Sequence, residues 1–233
     1  MGKGKQECRR APPRGTPDGR MNTCQGEGKL ASIPVLNRHH IILLMIAKDA
    51  FIHAQALVDP GAEVGPRSRL WAFAHVCAGV IIGEDCNLCD HTFVEQGVRI
   101  GNRVTVKCGV YLWTGTTLED DVFVGPGVAF TNDLRPRSKR YPERFLETHL
   151  QQGCSVGANA TLLPVTIGSW AMVAAGSVVT RNVPAHTLVR GNPARPSGWV
   201  CRCGEKLNFQ VSPAACRCGR RFQKIDPVDI REI

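Results

Sequence analysis

Aromatic side chains are scarce in this chain of 233 residues: Phe, Trp and Tyr together make up 6% of it, and only two are tyrosine. The positive charge sits at the two ends, with eight Lys/Arg against three Asp/Glu in residues 1–44 and eight against four in residues 195–233. Between them, residues 45–194 carry thirteen of each sign. Without aromatic platforms or a basic stripe in the middle, a nucleic-acid partner is not expected. Long apolar runs are also missing. The longest, residues 41–47, has seven residues, against roughly 20 for a membrane-spanning helix. The first forty residues hold no apolar core of a secretory signal, so the expected compartment is the cytoplasm, without membrane insertion.

What the chain does have is a beat of six. From Ile52 every sixth residue is apolar: Val58, Val64, Leu70, Val76, Ile82, Leu88, Val94, Ile100, Val106, Leu112, Leu118, Val124 and Phe130 follow without a miss. Four residues after each comes a small or apolar side chain, among them Ala56, Ser68, Val80, Cys86, Val98 and Val128. Neither the helical period of 3.6 nor the strand period of 2 produces this pattern. A hexapeptide repeat is the mark of a parallel β-helix, with three hexads to a coil and coils stacked about 4.8 Å apart. The same spacing returns at Leu150, Val156 and Leu162, then at Ile167, Val173 and Val179. About six coils are expected. The five-residue step from Leu162 to Ile167 predicts a tightened corner, not a break.

Residues 131–149 interrupt the beat with TNDLRPRSKRYPERFLETH, which carries seven charged residues before Leu146. An insertion must leave a solenoid at a corner, and such insertions commonly mark the binding face. Residues 1–44, rich in Gly, Pro and charge, read as a disordered basic extension. Met21 or Met45 is an alternative start. Three segments are therefore expected: the extension 1–44, the β-helix 45–198 with its loop 131–149, and a tail 199–233.

Eleven cysteines in a cytosolic chain suggest reduced thiols or metal rather than disulfides. Cys86 and Cys154 read as small core residues, with Cys86 and Cys89 facing apart. In the tail, Cys201, Cys203, Cys216 and Cys218 form two CRCG knuckles. These resemble a zinc ribbon, although each pair is one residue tighter than C-x-x-C. Structural zinc and free thiols both remain open.

The hexads, the loop and the closing AAGSVVTRNVPAHTLVRGNPAR together resemble the left-handed β-helix acyltransferases. The segments HTFVE, RVTVKCGVYLW, LEDDVFVGPG and FTNDLRPRSK are most similar to the 3-N-acetyltransferases of nucleotide-linked aminodeoxy sugars. GNPARPSGWVCRCGEKL resembles the tail of related sugar N-acetyltransferases. The resemblance implies an all-β, left-handed parallel β-helix with a small Cys-rich ribbon. It also implies a homotrimer and transfer of acetyl from acetyl-CoA to a sugar amine at a site between subunits. Outward apolar residues such as Trp71, Phe73, Val110 and Trp113 are expected to be covered in that trimer. The chain departs from the branch at Tyr111, Thr114 and Gly127, where Gln, Asp and Asn are common.

A sugar amine needs orientation and oxyanion stabilisation more than a strong base. Stacking by eighteen residues puts Glu95 and Trp113 in one outward column, with Asn132 beside it and Asp133 opening the loop. His91, on the preceding corner, is the candidate catalytic imidazole, or else an exposed or interface histidine. Asn132 and Asp133 are candidates to hold the amine and its proton, or ordinary turn formers. Trp113 either stacks on a base or sugar or covers a subunit seam. Arg135, Arg137 and Lys139 suit a diphosphate, or form a solvated basic loop. For the acyl donor, the resemblance points to Ala175 and Gly176, with Arg181 and Arg190 for phosphate and Pro193 against adenine. The AAG run is otherwise just a tight corner. Two rivals share the scaffold: a sugar O-acetyltransferase, which needs a true general base, and a non-catalytic assembly module. A γ-class carbonic anhydrase is disfavoured, because the histidines at 39, 40, 53, 75, 91, 149 and 186 contain no H-x4-H pair.

Overall fold

The computed structural model describes residues 45–226 and 229–233. The expected disordered extension, residues 1–44, lies outside them. Each hexad makes one two- or three-residue strand and one corner, and the strands collect into three parallel faces. The first face stacks Phe51–Ile52, Arg69–Leu70, Asn87–Leu88, Thr105–Val106, Phe123–Val124, Ser155–Val156, Met172–Val173 and Thr187–Arg190. The second runs from Leu57–Val58 to Val178–Val179, and the third from Glu63–Val64 to Thr166–Ile167. The eighteen-residue register is direct: Ile52 lies over Leu70, and Leu70 over Leu88.

One residue per hexad fills the interior. Leu70, Val76, Leu88, Val94, Val106, Leu112 and Val124 are all fully buried. Each such side chain contributes about 1.5–3 kcal/mol through burial, and it does so against the coils directly above and below. The fifth hexad position is interior as well. Ser68, one of the polar members of that set with Thr92 and Thr116, donates from Oγ to the Gly83 carbonyl at 2.7 Å and accepts from the Cys86 amide at 2.9 Å. Val110 occupies the same position and is fully buried. It therefore faces the prism and not a partner, contrary to the outward placement expected of it. Cys86 and Cys154 are core residues as expected, and Cys89 is also buried.

The corners bring backbones so close that some positions accept only glycine. A Cβ on Gly83 would lie 2.6 Å from the Gly101 carbonyl oxygen. Other corners use the left-handed conformation in columns. Arg67, Asp85, Arg103 and Asp121 have φ of 58°, 54°, 56° and 63°, with the Arg67 guanidinium on Asp85 and that of Arg103 on Asp121, both at 2.7 Å. The arginines hold both carboxyls below the usual range.

The five-residue step is absorbed without a break. His149 pairs with Thr166 and Leu150 with Ile167, while Val165 packs into the interior at 6% exposure. The stack is longer than six coils, at about eight, because the first face alone holds eight parallel strands. Val183 and Val189 are the interior residues that extend it, at 4% and 3% exposure. The irregular step from Val179 to Val183 hid them from a six-residue count. The loop leaves after Phe130 and the chain rejoins the third face at Thr148–Leu150, with Thr148 paired to Thr116. No helix among the described residues is long and apolar enough to cross a membrane.

After the last coil the direction reverses. Arg195–Val200 runs antiparallel to Thr187–Arg190, and Lys206–Leu207 antiparallel to it in turn. A three-stranded sheet follows, built from Ala214–Ala215, Arg221–Lys224 and Ile230–Glu232. Its core is Phe222 and Ile230 with Cys201, Leu207 and Cys216. His186 joins this core to the last coil. Its ring meets Phe222 edge-on at 5.2 Å, and its Nδ1 lies 3.0 Å from the Val200 carbonyl oxygen. On the flank, the Arg202 guanidinium sits 5.3 Å over the Trp170 ring.

Burial lowers the His186 pKa from its ordinary value near 6.5. The unfolded chain then binds more protons than the folded one as pH falls through that range, so stability declines with acid. The melting temperature should drop between about pH 7.5 and 5.5, and His186→Gln should flatten that part of the profile. An unchanged slope in the variant would show that other groups set it.

Candidate functional site

The loop root is built on the second-to-third corner. Glu95, Trp113 and Thr131 follow one another there in successive coils. The Glu95 carboxylate accepts the Thr114 backbone N–H at 2.7 Å, which pins it in the column. Thr114 donates from Oγ1 to the Gln96 carbonyl at 3.0 Å, and its own carbonyl accepts Asn132 Nδ2–H at 3.2 Å. Asn132 also accepts the Leu146 N–H at 3.0 Å through its carbonyl. It thus clamps both ends of the loop to the coil below. Asp133 folds back on the chain, with Oδ1 accepting the Arg135 N–H at 2.7 Å in an Asx turn.

Trp113 is half-buried against the core cluster and donates from Nε1 to the Phe130 carbonyl at 3.0 Å. Phe93 and Tyr111 surround it, at ring-centroid distances of 5.7 and 6.0 Å. Both belong to the outward row of the second face, which also carries Leu57 and His75. Leu57 is 55% and Tyr111 49% exposed. This aromatic patch breaks the alternation of buried and polar positions that such a face otherwise shows.

Beyond the root, the loop wraps a cavity of about 530 Å³ lined by Asp133, Leu134, Arg135, Pro136, Arg137, Arg140, Tyr141 and Pro142. Arg140 and Tyr141 were not singled out from the sequence. Their signal was there, since both lie in the same charged insertion and Tyr141 is one of only two tyrosines. Lys139 is not part of the lining. It occupies a left-handed turn position, φ 59°, between Arg137 and Arg140, which are bridged by the Arg140 N–H on the Arg137 carbonyl at 3.1 Å. Three guanidinium groups, a carboxylate and a phenol around one hollow suit an elongated anion that carries a ring.

His91 lies elsewhere in the chain. It is an exposed residue on the first-to-second corner, φ 57°, with its ring stacked on Phe73 at 4.9 Å and 17°. Gly109, Gly127, Asn159 and Gly176 continue that corner, each with positive φ. The Gly176 N–H is committed inside the corner, where it donates to the Ala158 carbonyl at 2.8 Å. Ala175 beside it is exposed. The segment from Gly191 to Ala194 returns to the same edge, since Val178 donates to the Gly191 carbonyl and Ala194 to the Val178 carbonyl. That brings exposed Arg190 and Pro193 to the corner of Ala175 and Gly176. Arg181 leaves the second face at its opposite edge, so the structure does not bring it together with Arg190.

The candidate residues therefore fall into two groups on one chain. His91, Ala175, Gly176, Arg190 and Pro193 share one corner. Glu95, Trp113, Asn132, Asp133 and the loop arginines share the next. A whole second face separates them, up to about 20 Å for six extended residues.

The four tail cysteines converge, each Sγ within 4.8 Å of the others. Cys201 lies 3.5 Å from Cys218, and Cys203 3.5 Å from Cys216. The two knuckles repeat one design: Cys201 and Cys216 each accept the N–H of the following glycine at 2.9 Å, with Gly204 and Gly219 at φ 89° and 93°. Hydrogen bonds from Arg220, through its backbone and then its side chain, bring the Cys218 thiol down to about 6, while burial pushes Cys201 up to about 12. The tight Cys-x-Cys spacing has not kept the sulfurs apart.

Comparison with known proteins follows the same lines. A family model described as the hexapeptide repeat of succinyl-transferase matches residues 79–114 and 152–181. The dTDP-3-amino-3,6-dideoxy-alpha-D-galactopyranose 3-N-acetyltransferase of Aneurinibacillus thermoaerophilus is 48% identical over 183 residues, which cover 78% of this chain and 95% of that protein. The bifunctional protein GlmU of Thermosynechococcus vestitus is 32% identical over 70% of this chain but only 32% of its own length. Among solved structures, a variant of perosamine N-acetyltransferase from Caulobacter crescentus, in complex with CoA and GDP-perosamine, is 25% identical. That match covers 64% of this chain and 56% of the other, with a TM-score of 0.34. On its hexads, its loop and a 48% identity that spans nearly the whole of a known sugar 3-N-acetyltransferase, the chain belongs to the hexapeptide-repeat acyltransferases, in the branch that N-acetylates nucleotide-linked amino sugars.

Proposed function

We propose that the protein transfers the acetyl group of acetyl-CoA to the 3-amine of a nucleotide-linked 3-amino-3,6-dideoxy sugar. The observation that carries the reading is the 48% identity to such an enzyme over 183 residues, which span 95% of that protein. The loop cavity, with Arg135, Arg137, Arg140 and Tyr141, suits the diphosphate and the nucleoside. Lys139 adds positive charge at the rim. Glu95, fixed by the Thr114 amide, and Asp133 stand at the root, where a sugar amine would be held. The tie from Asn132 to Thr114 and Leu146 makes it the positioning residue of the loop.

The neutral amine attacks the thioester carbonyl, the carbon–sulfur bond breaks, and the amine proton passes to a carboxylate or to water as CoA leaves. Orientation supplies most of the rate in such a step. Ala175 and Gly176 would border the pantetheine arm, with Arg190 toward phosphate and Pro193 toward adenine. His91 on the same corner would orient the reacting carbonyl. Arg181, on the opposite edge, would meet a ligand only from another copy.

The separation of the two residue groups supports a homotrimer. In a threefold assembly the donor corner of one copy can face the loop root of the next, and the aromatic second face would be covered at that seam. The co-substrates are charged nucleotides that do not cross a bilayer unaided, in keeping with work in the cytoplasm. In the tail, Cys201, Cys203, Cys216 and Cys218 would hold one structural Zn²⁺. Sulfurs bound tetrahedrally at about 2.3 Å are about 3.8 Å apart, close to the spacings seen. With four protein ligands, such an ion would contribute to folding and not to the reaction.

Released CoA thiol, measured with acetyl-CoA and a dTDP-linked 3-amino sugar, tests the activity. Asp133→Asn should lower kcat at least about tenfold, the equivalent of 1.4 kcal/mol, and Arg137→Ala should raise the sugar nucleotide's KM more than it lowers kcat. No thiol release from any amino-sugar nucleotide would sink the reading.

Shared seams predict complementation. Ala175→Trp and Asp133→Asn, each impaired alone, should recover about a quarter of native activity when refolded together, the share of seams that pair two intact halves in a random threefold mixture. No recovery in verified mixed trimers would mean self-contained sites.

Chelation should release one zinc per chain from the tail and lower its melting temperature, and Cys216→Ser should abolish that release. Equal zinc in native and variant protein would leave the knuckles as free thiols.

A further inference from the structure

Outside the residues considered so far, a second mixed set of ligand-type side chains meets on the early coils. Asp59 and Cys77 lie in successive coils at the second-to-third corner, directly below Glu95. The register is fixed by the Asp59 N–H on the Val76 carbonyl and the Cys77 N–H on the Val94 carbonyl, both at 2.9 Å. His75 projects from the second face beside them. Its Nε2 is 3.4 Å from Asp59 Oδ1 and 3.9 Å from Cys77 Sγ, and the three ligand atoms all lie within 4.8 Å of one another. The three residues are half-buried, and the Phe93 ring holds the imidazole edge-on at 5.3 Å.

Two features separate this trio from an ordinary ion pair or a catalytic relay. A Cys–His–Asp relay uses both ring nitrogens, one for the thiol and the other for the carboxylate. Here the carboxylate and the thiol approach the same Nε2, so no proton can pass through the ring between them. Neither contact is a good hydrogen bond either, since an N–H···O bond prefers about 2.9–3.0 Å. The N–O spacing instead matches an edge of a tetrahedron around a zinc-like ion, and the N–S spacing lies near one. With metal–N near 2.0–2.1 Å, metal–O near 2.0–2.2 Å and metal–S near 2.3 Å, the N–O edge is about 3.4 Å and the N–S edge about 3.5 Å. The first already agrees with the observed distance. The second needs a closure of a few tenths of an ångström, within reach of a Cys rotamer.

We infer that Asp59, His75 and Cys77 form a binding site for a thiophilic divalent cation of the zinc class. The mixed N, O and S donor set suits Zn²⁺ rather than Mg²⁺ or Ca²⁺, which prefer oxygen. Three protein ligands leave a fourth position for water. Glu95, next in the column, is not among the residues whose ligand atoms gather within 4.8 Å of one another. The site depends neither on the acyl-transfer reading nor on the tail cysteines.

The test is a difference measurement on full-length protein, stripped with a chelator, dialysed against Zn²⁺ and analysed for bound zinc per chain. Cys77→Ser should bind one zinc fewer than the native chain, whatever the tail holds, since the tail is identical in both. Asp59→Asn, a milder change at a partly exposed position, should weaken half-saturation by about tenfold or more while the circular dichroism stays native. With Co²⁺ in place of Zn²⁺, the native-minus-Cys77→Ser spectrum should show a thiolate-to-metal band near the ultraviolet edge. Equal zinc content in native and Cys77→Ser protein, or native affinity in Asp59→Asn, would overturn the site. Failure of acetyl transfer would leave it standing.

Discussion

The width of the interior prism governs everything else in the molecule. It admits one aliphatic side chain per hexad and a small residue beside it, and both must recur in register with the coil below. Because Leu70 sits on Leu88 and Val76 on Val94, a residue's place in the hexad decides whether it faces core or solvent. Chemistry on such a scaffold is confined to outward positions and corners. Functional groups can only be aligned in columns, one per coil, about 4.8 Å apart. Glu95 below Trp113, and Cys77 below Glu95, are products of that geometry. A side chain needing a position between columns must come from an insertion, which is what residues 131–149 supply.

The periodic part of this architecture was readable because its cause is local and repeated. The apolar residue at every sixth position from Val64 to Phe130 is assigned to the interior by spacing alone, and burial agrees. The reading lapsed where the spacing changed. Val183 and Val189 escaped because the step before Val183 is four residues. Val110 stands at a corner, which suggests an outward side chain, but the fifth hexad position turns it into the prism. The site was less legible. The column of Glu95, Trp113 and Thr131, with Asn132 beside it, follows from the register, but the engagement of the Asn132 amide with the Thr114 carbonyl depends on where the loop exits. The assembly of Arg135, Arg137, Arg140 and Tyr141 around one cavity depends on turns with no period.

Family membership and local geometry bear on different questions. The relative from Aneurinibacillus thermoaerophilus shares enough sequence to fix the branch, while the coordinates separate residues that the branch would group into one site. His91 and Asp133 stand on different corners of one chain. Under the proposed homotrimer, reactants would be held where one copy's corner approaches another's face, and otherwise under the inserted loop. The exposed aromatic row on the second face makes the first arrangement favourable, because Leu57 and Tyr111 would otherwise remain in water.

A parallel solenoid ends in an unpaired strand, and that strand is a template for a further coil from another molecule. In this chain the C-terminal end of the first face is closed by Arg195–Val200, which lies antiparallel on Thr187–Arg190. The reversal changes the polarity that the next strand would meet, and the Cys-bearing ribbon is laid over the edge. The edge that a further parallel coil would need is taken up at that end by the chain itself, with Lys206–Leu207 paired outside Arg195–Val200. Whatever fixes the ribbon in place therefore also keeps that edge covered.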